Sequence, residues 1–375
     1  MIQQIDRQVD VNRIIDIFSE LTIISGVSGM ETKVNQFVRD FLQGKAVSIH
    51  EDDAANRFGG NSGNLILVPN HFNPQKPALA LMAHMDTVRD TSLTKVKVSE
   101  KALQSAGNTQ LGADNRLGMV HLLAFMERIS ENPSQTNFIV VFTVAEEAGM
   151  LGAKALDLSP WNVRQALVFD SSLRPGKYIS QSAGMVLFDV AFKGVAAHSA
   201  VSNGAGIHAV LMASEAVASI LNEPSRNQIT RNIGKIEGGE ATNVVPAHCR
   251  FEGEIRGFTI ETINIEINRY QEICSEIALK HGGEVIWNQQ TDFEPYTIGL
   301  EIRESLEQIF SVSSLNPEPV VYSGGSDANV LNALGIPSIN IGIGAQNPHS
   351  DNELVLIEDI VAIQRVLQTL ETRDF

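Results

Sequence analysis

The chain of 375 residues has few cysteines and no long hydrophobic run, and each shortage excludes a class of protein. Its two cysteines, Cys249 and Cys274, are too few for a disulfide framework, and no CxxC spacing offers a metal site. The N-terminal MIQQIDRQVD has no basic stretch followed by an apolar core, so no signal peptide is predicted. The longest apolar runs, such as FIVVFTVA at 138–145, are too short to cross a bilayer. These absences predict a soluble cytoplasmic protein.

The chain also has few basic residues relative to acidic ones. The chain has 28 Lys and Arg against 44 Asp and Glu, a formal net charge of −16. Such an acidic balance argues against a nucleic-acid partner, which requires a basic face, and against an anionic membrane surface. Apolar residues make up 43% and charged residues 19%, which is ordinary globular composition and excludes a disordered chain. At roughly 150 residues per domain, the length predicts two or three domains.

The two outer parts of the chain show short apolar strands that alternate with helices. Continuous apolar strands of this kind are typical of a sheet covered on both faces. The second helix is predicted to begin at Ser28, with Glu31 completing a capping box. We therefore predict an α/β domain with a mixed, mostly parallel sheet flanked by helices. The predicted strands are 64–68, 78–83, 138–145, 166–170, 319–322 and 338–344, and the other predicted helices are 11–24, 115–129, 300–314, 327–334 and 354–371.

The pattern changes near residue 185, where strand 185–194 alternates apolar and polar residues. A helix, two strands, a long amphipathic helix and a last strand follow it. This order, β-α-β-β-α-β, is typical of the split βαβ, ferredoxin-like arrangement. We predict that residues 186–294 form an α+β domain inserted into a domain built from 1–185 and 295–375.

Side chains that bind metals collect where the predicted strands end. They are His84, Asp86, Glu146, Glu147, Asp170 and His349, with Asp114 just before a helix. In open α/β sheets, ligands bind beyond the carboxyl ends of the strands. Several carboxylates gathered at one place require a cation, and histidine with carboxylate oxygens suits zinc, cobalt or manganese.

Most of these residues also have a simpler explanation when each is taken alone. His84 is compatible with a buried, hydrogen-bonded histidine, and Asp114 with a helix N-cap. Glu146 and Glu147 are compatible with a solvated helix start, where acids suit the dipole. His349 is compatible with an ordinary loop histidine. The consistent position at strand ends is what favours a metal site over these separate explanations.

The motifs together resemble the aminoacylase and peptidase T-like family of dinuclear zinc exopeptidases. The resemblance extends over nearly the whole chain, including the inserted domain. It rests on the order and spacing of HMDT (84–87), GADN (112–115), EEAG (146–149), FDSS (169–172), GVAAHS (194–199), GGEATNVVP (238–246), GGSDANVL (324–331) and NPHSDNE (347–353).

The resemblance implies a site with two divalent metal ions, zinc first, with cobalt or manganese as alternatives. His84 and Asp170 would hold one ion, Glu147 and His349 the other, and Asp114 would bridge them. Asp86 would orient the ring of His84, and Glu146 would be the general base. The family also implies a cis peptide between Asp114 and Asn115.

For the inserted domain, the resemblance implies a lid that also forms a homodimer. His198 would stabilise the developing oxyanion, supplied by the other subunit. Asn243 and Arg256 are the predicted substrate-binding side chains, although Arg256 is equally compatible with a solvating charge at a strand edge. The glycine pair Gly324 and Gly325 would let the substrate approach the backbone.

The predicted activity is therefore exopeptidase cleavage of short peptides. Aspartate at Asp170 favours the aminopeptidase and tripeptidase branch, whereas Gly257 departs from the peptidase T pattern. An N-acyl amino acid deacylase and a dipeptidase or carboxypeptidase of the same family are alternatives.

Two alternative hypotheses place the chain in other functional classes, and the sequence supports them less. The segment GGSDA resembles a degenerate nucleophile elbow, which makes a serine hydrolase with Ser326 and His349 an alternative. That hypothesis leaves the acids after the strands unexplained. A non-catalytic peptide-binding relative is a further alternative, and the complete ligand set argues against it.

Overall fold

The structure is a computed structural model that describes residues 10–132, 136–200, 205–224 and 228–372. The chain forms two compact units. Of the described residues, those within 1–180, 298–321 and 326–375 form the first unit, and those within 181–297 and 322–325 form the second. The segment 186–294, assigned above to an inserted domain, lies within the second unit. No helix in the described ranges combines the length and the apolar character needed to span a membrane.

The helices occur throughout the chain, and most begin and end within three residues of the predicted positions. They are α1 (Val11–Thr22), α2 (Thr32–Phe41), α3 (Ala54–Phe58), α4 (Ala113–Glu131), α5 (Leu151–Ala155), α6 (Ala209–Asn222), α7 (Ile260–His281), α8 (Leu300–Val312), α9 (Asp327–Ala333) and α10 (Ile357–Thr372).

The strands fall into a large sheet, a small sheet and a two-stranded ladder, together with the sheet of the second unit. They are β1 (Val47–Glu51), β2 (Leu65–Pro69), β3 (Ala78–His84), β4 (Val96–Val98), β5 (Ala102–Ser105), β6 (Phe138–Thr143), β7 (Val163–Ser171), β8 (Lys177–Ser182), β9 (Gly184–Lys193), β10 (Ala197–His198), β11 (Thr230–Gly238), β12 (Val244–Val245), β13 (His248–Gly257), β14 (Glu284–Phe293), β15 (Tyr296–Thr297), β16 (Glu318–Tyr322), β17 (Ser338–Gly342), β18 (Ala345–Gln346) and β19 (Leu354–Leu356).

The large sheet of the first unit has the order β1-β2-β6-β3-β7-β17-β8. Its centre is parallel, because β3 runs parallel to β6 and β7, and β17 runs parallel to β7. Every residue of β3 and β6 is buried, as expected for strands covered on both faces. Helix α4 packs on β3 and β7, and α9 packs on β7 and β17. The fold class predicted from the sequence is confirmed.

A small antiparallel sheet of the first unit, in the order β18-β19-β5-β4, was not predicted. The hairpin of β18 and β19 pairs Ala345 with Val355 and Gln346 with Leu354. Its loop, 347–353, carries His349. Strands this short show no hydrophobic alternation, so the sequence pattern gave no signal for them.

The second unit has a four-stranded antiparallel sheet in the order β11-β13-β9-β14. Helices α6 and α7 pack on it around a core of apolar side chains that includes Phe188, Phe192, Phe251 and Tyr270. This strand order, with the two central strands first and third along the chain, is the ferredoxin-like arrangement that the sequence predicted. In the same unit, β15 pairs with residues 181–182.

Two local predictions beside the site are wrong. Ser28 and Glu31 do not form a capping box, because α2 begins at Thr32, and Ser28 Oγ instead donates to Asp86 Oδ2 at 2.6 Å. Glu31 is buried, and its carboxylate accepts hydrogen bonds from Gly29 N and Ala145 N. Strand β6 ends at Thr143 rather than at 145, because Ala145 adopts a left-handed conformation with φ 49°.

Candidate metal centre and active site

The site lies in the first unit, where neighbouring strands of the parallel sheet end together. His84 is the last residue of β3, the strand between β6 and β7. Glu146 and Glu147 follow β6 on one side, and Asp170 lies near the end of β7 on the other side. Because parallel strands present their carboxyl ends at one edge of the sheet, these side chains converge. The sequence prediction that the residues lie at one place agrees with this geometry.

His84 faces two carboxylates with one ring nitrogen. Its Nε2 lies 3.2 Å from Asp114 Oδ1 and 3.2 Å from Asp170 Oδ1. Burial by itself would lower the pKa of His84, but the charge of Asp170 and the hydrogen bond with Asp114 raise it well above the usual value. The three side chains thus present one nitrogen and two oxygens to a common point.

His349 forms a second, similar group from the loop between β18 and β19. Its Nε2 lies 2.7 Å from Glu147 Oε1 and 3.2 Å from Asp114 Oδ2. Hydrogen bonds with Asp114 and Glu147 raise the pKa of His349 to about 10. Asp114 therefore directs one carboxylate oxygen to each histidine. A cis peptide bond joins it to Asn115, as the family resemblance implies.

These residues fit a metal ion. One ligand atom each from His84, Asp114 and Glu147 lie within 4.8 Å of one another, and all three side chains are at least largely buried. Burial raises the pKa of both Asp170 and Glu147, which means that the folded chain disfavours their ionised forms. A divalent cation relieves this cost by replacing protons on imidazole and carboxylate ligands. Nitrogen and carboxylate oxygen donors are the set that zinc, cobalt and manganese accept.

Asp86 connects the two halves of the site. His84 Nδ1, the ring nitrogen opposite the one that faces the carboxylates, lies 3.0 Å from the backbone carbonyl oxygen of Asp86 and 3.3 Å from its Oδ1. Asp86 also accepts hydrogen bonds from the backbone N–H of Glu146, at 3.0 Å, and of Glu147, at 3.1 Å. Asp86 therefore orients the His84 ring through its backbone carbonyl and its nearby carboxylate, and the fully buried carboxylate anchors the turn that carries both glutamates.

Glu146 differs from the other acids of the site. Among the described residues, its carboxylate makes no hydrogen bond, although its backbone N–H is held by Asp86. Burial raises the pKa of Glu146 well above its usual value, and the charges of Asp170 and Asp327 add to this effect. An unpaired carboxylate with a raised pKa is suited to accept a proton and release it again.

Sequence reasoning missed the role of Glu353. This buried carboxylate accepts the backbone N–H of Gly112 at 2.7 Å and of Asp114 at 2.9 Å. It therefore fixes the backbone that carries the shared aspartate. The contact spans 239 residues of sequence, so no local pattern could reveal it.

In the second unit, His198 and Asn243 are neighbours. His198 lies on β10 opposite Val244 of β12, and Ser199 N donates to the carbonyl of Asn243 at 3.0 Å. Both residues are exposed. Two of the residues expected to contact substrate are thus brought side by side, and their roles stay predictions.

Arg256 already has a carboxylate partner within the second unit. Its Nε and Nη2 donate to the two oxygens of Glu254 at 3.0 and 3.2 Å, and Nη1 donates to the carbonyl of Ser323 at 3.2 Å. A substrate carboxylate would have to compete with this bidentate pair. Its substrate-binding role also stays a prediction.

The GGSDAN segment has a structural explanation. A Cβ at Gly325 would lie 2.6 Å from the ring of Phe293, and one at Gly324 would lie 2.4 Å from the ring of Tyr322. A side chain at either position would therefore displace an aromatic ring of the second unit, and substrate approach at these positions stays a prediction. Ser326 is buried and forms the capping box of α9 with Asn329. This engagement in a helix cap argues against Ser326 as a nucleophile.

Comparison with protein-family models finds two matches. Residues 64–181 match the model of peptidase family M28, and residues 181–282 match the model of the peptidase dimerisation domain. The first stretch contains the residues described above for the candidate metal centre, except His349 and Glu353. The second stretch contains His198, Asn243 and Arg256.

Two curated proteins show the extent of the sequence similarity. The chain is 28% identical over 356 residues to the uncharacterized protein YqjE of Bacillus subtilis, covering 94% of this chain and 96% of that protein. It is 25% identical over 276 residues to Peptidase T of Fusobacterium nucleatum, covering 70% of this chain and 65% of that protein.

Solved structures extend the similarity to the fold. A tripeptidase from Staphylococcus aureus is 25% identical, with a TM-score of 0.89 over 97% of this chain and 98% of that one. A Bacillus subtilis protein described as a dinuclear metal-binding peptidase of the M20 family is 15% identical, with a TM-score of 0.73 over 96% of this chain and 97% of that one. At that identity the second likeness concerns the fold alone. Together, the matches confirm the family resemblance and the peptide-bond hydrolase assignment.

Proposed function

We propose that the chain is a metal-dependent exopeptidase acting on short peptides. The premise is that it is a peptide-bond hydrolase of the peptidase T-like M20 family. The observation that carries the proposal is the pair of histidine–carboxylate groups that share Asp114 beside the unpaired Glu146. An aminopeptidase or tripeptidase specificity is the first candidate. The cytoplasmic location stays a prediction.

Two divalent ions, with zinc as the first candidate, are part of the proposal. His84 and Asp170 would hold one, His349 and Glu147 the other, and Asp114 would contribute one oxygen to each. Such ions lower the pKa of a bound water and polarise a substrate carbonyl. Asp86 keeps the His84 ring in the tautomer that leaves Nε2 free for a ligand.

Glu146 supplies the proton transfer. Its carboxylate accepts a proton from the water that attacks the peptide carbonyl, and it then donates that proton to the leaving amine. The bond from carbon to the water oxygen forms and the carbon–nitrogen bond breaks, so no redox partner is needed. The absence of a hydrogen-bond partner for this carboxylate among the described residues suits such a role. His198, from the other subunit of a homodimer, is proposed to donate a hydrogen bond to the oxyanion.

The proposal is tested by a cleavage screen of dipeptides, tripeptides and N-acyl amino acids with added zinc, cobalt or manganese. We expect cleavage of short peptides by the metal-loaded protein and loss of activity after chelation. Preferential cleavage of N-acyl amino acids would indicate the deacylase alternative. Activity that survives complete metal removal but is lost on treatment with a serine-reactive phosphonate would contradict the proposal. Purified, metal-loaded protein that cleaves none of these substrates would favour a non-catalytic peptide-binding protein.

The residue roles have their own tests. Glu146→Gln removes the proton acceptor but keeps the shape of the side chain, so turnover should be nearly abolished while metal content is unchanged. His198→Ala should also lower turnover without metal loss. If subunits share sites, a mixed dimer of these two variants should recover part of the activity. No recovery in a verified mixed dimer would contradict the role of His198 across subunits, and a monomer by light scattering would contradict the homodimer.

A further inference from the structure

Three consecutive backbone N–H groups at the turn after β6 are held by two buried carboxylates. Glu146 N and Glu147 N donate to Asp86, whereas Ala145 N donates to Glu31 Oε1 at 3.0 Å. Buried backbone donors need partners, and helices and sheets normally supply backbone carbonyls for this purpose. Here side chains from distant segments replace them. Asp86 has a place in the metal site, but Glu31 has no role in the function proposed above.

Glu31 is built into this position rather than resting at a surface. Its side chain has no exposure to solvent, and Oε1 also accepts Gly29 N at 2.7 Å. Oε2 has no hydrogen-bond partner among the described residues. The fully buried Arg116 is close enough for its positive charge to interact with both Glu31 and Asp86. Burying a carboxylate with one oxygen unpaired is costly, so its retention here calls for an explanation.

The N–H that Glu31 holds belongs to the residue with the unusual backbone. Ala145 is left-handed with φ 49°, a conformation that non-glycine residues rarely adopt. Its carbonyl accepts Leu151 N at 3.0 Å, so both of its backbone polar groups are engaged. Since the next residue is Glu146, the conformation of Ala145 sets the direction in which the Glu146 side chain leaves the backbone.

We infer that Glu31 is a positioning residue for Glu146, because its hydrogen bond to Ala145 N holds the left-handed turn that aims the base. The contact itself is independent of the proposed function, and only its catalytic consequence rests on that function. Asp86 anchors the following two residues, so the two carboxylates act on adjacent parts of one turn. Loss of Glu31 should therefore change the orientation of Glu146 more than the position of Glu147.

The test uses three substitutions of Glu31 and one matched control in the full-length, metal-loaded protein. Glu31→Met removes both acceptors, and Glu31→Asp keeps the charge but shortens the reach to Ala145. Glu31→Gln keeps an acceptor oxygen. The control is Glu266→Met in α7, because Glu266 is also a buried glutamate with one unpartnered oxygen among the described residues, and it lies in the second unit.

Two readouts are measured on each variant. The first is amide hydrogen exchange of the segment 144–149 by mass spectrometry. We expect exchange at Ala145 to be faster by roughly tenfold in Glu31→Met and Glu31→Asp, the factor that corresponds to one hydrogen bond, and unchanged in Glu31→Gln and Glu266→Met. The second is peptide hydrolysis. We expect kcat to fall by on the order of 100-fold in the first two variants, because misplacement of a catalytic group has effects of that size, with KM and metal content near the wild-type values.

Each outcome either supports or contradicts the positioning role of Glu31. Unchanged exchange at Ala145 in a folded Glu31→Met or Glu31→Asp protein would overturn it. Faster exchange with an unchanged kcat would also overturn it, as would an equal loss of kcat in Glu266→Met. If the wild type cleaves no peptide, the proposed function is what fails. Hydrogen exchange then decides alone, and faster exchange confined to the Glu31→Met and Glu31→Asp variants supports the contact.

Discussion

Asp86→Asn perturbs the site at one carboxylate, which accepts three hydrogen bonds and also lies close to a ring nitrogen of His84. Its Oδ1 faces His84 Nδ1 and Glu146 N, and its Oδ2 faces Ser28 Oγ and Glu147 N. An asparagine presents one acceptor oxygen and one NH2 group in the same space. In either orientation of the amide, its NH2 group faces the two groups that face the replaced carboxylate oxygen in the wild type.

The two orientations have different costs. If the NH2 replaces Oδ1, it faces both the His84 ring and a backbone N–H. If it replaces Oδ2, the Ser28 hydroxyl can rotate to become an acceptor, and only Glu147 N loses its partner. The second arrangement is therefore favoured. An unsatisfied buried donor costs about 1–3 kcal/mol, so we expect the free energy of unfolding to fall by that amount.

Metal affinity should fall as well, because the orphaned N–H belongs to a proposed ligand residue. Substitutions of groups that orient metal ligands reduce affinity by about 10–100-fold. The affinity is measured by competition with a chromophoric chelator, and the stability by urea unfolding in the same buffer. Loss should be greater for the ion assigned to Glu147 and His349 than for the ion assigned to His84.

Asp52→Asn provides the matched control. Asp52 also accepts two backbone N–H groups, from Ala54 at 3.0 Å and Asn64 at 2.8 Å, but it contacts none of the proposed metal ligands. It should lose stability and keep its metal affinity. Wild-type metal affinity in Asp86→Asn, or an equal affinity loss in the control, would contradict the role of Asp86 in positioning Glu147.

Three further predictions concern the surrounding residues. Glu353→Gln cannot accept both Gly112 N and Asp114 N, so metal affinity should fall about tenfold in chelator competition; an unchanged affinity would contradict its positioning of Asp114. Gly118→Ala places a Cβ 2.3 Å from the carbonyl oxygen of Phe169, so thermal unfolding should occur at a clearly lower temperature, and a wild-type Tm would be contrary evidence. Burial raises the pKa of Glu31 from 4.5 to about 7. Between these two pH values the folded protein therefore binds more protons than the unfolded protein. Its free energy of unfolding should fall as the pH rises through this window. Glu31→Gln should flatten this pH dependence by up to about 3 kcal/mol in urea unfolding, and an unaltered slope would argue against burial of the charge.

The residues of the candidate site could be predicted from the sequence because most of them directly follow a predicted strand. Parallel strands must be apolar over most of their length, so polar residues directly after them stand out against the pattern. His84, Asp170 and the Glu146–Glu147 pair were found in this way. The order of strands and helices was likewise sufficient for the ferredoxin-like part, since the split βαβ order allows few arrangements.

What the sequence could not show depends on contacts between distant segments. Glu31 and Ala145 are 114 residues apart, and the spacing of Ser28 and Glu31 matched a local capping box equally well. The structure favours the distant contacts because the chain at 28–31 packs beside the turn after β6. The pair of Glu254 and Arg256 is different, because residues two apart on a strand share a face, and that spacing could have indicated the ion pair beforehand.

The acidic residues of the site differ in the hydrogen bonds that their carboxylates accept, and this difference supports different roles for them. Asp86, Glu31 and Glu353 each accept two backbone N–H groups, so these carboxylates fix the chain around the site. The Glu147 carboxylate faces the His349 ring, whereas that of Glu146 has no hydrogen-bond partner among the described residues. A general base must change its protonation state in each turnover, and any hydrogen bond to its ionised form would oppose protonation. Glu146, whose backbone N–H is held by Asp86 and whose carboxylate is left free, is therefore the residue best suited to move the proton.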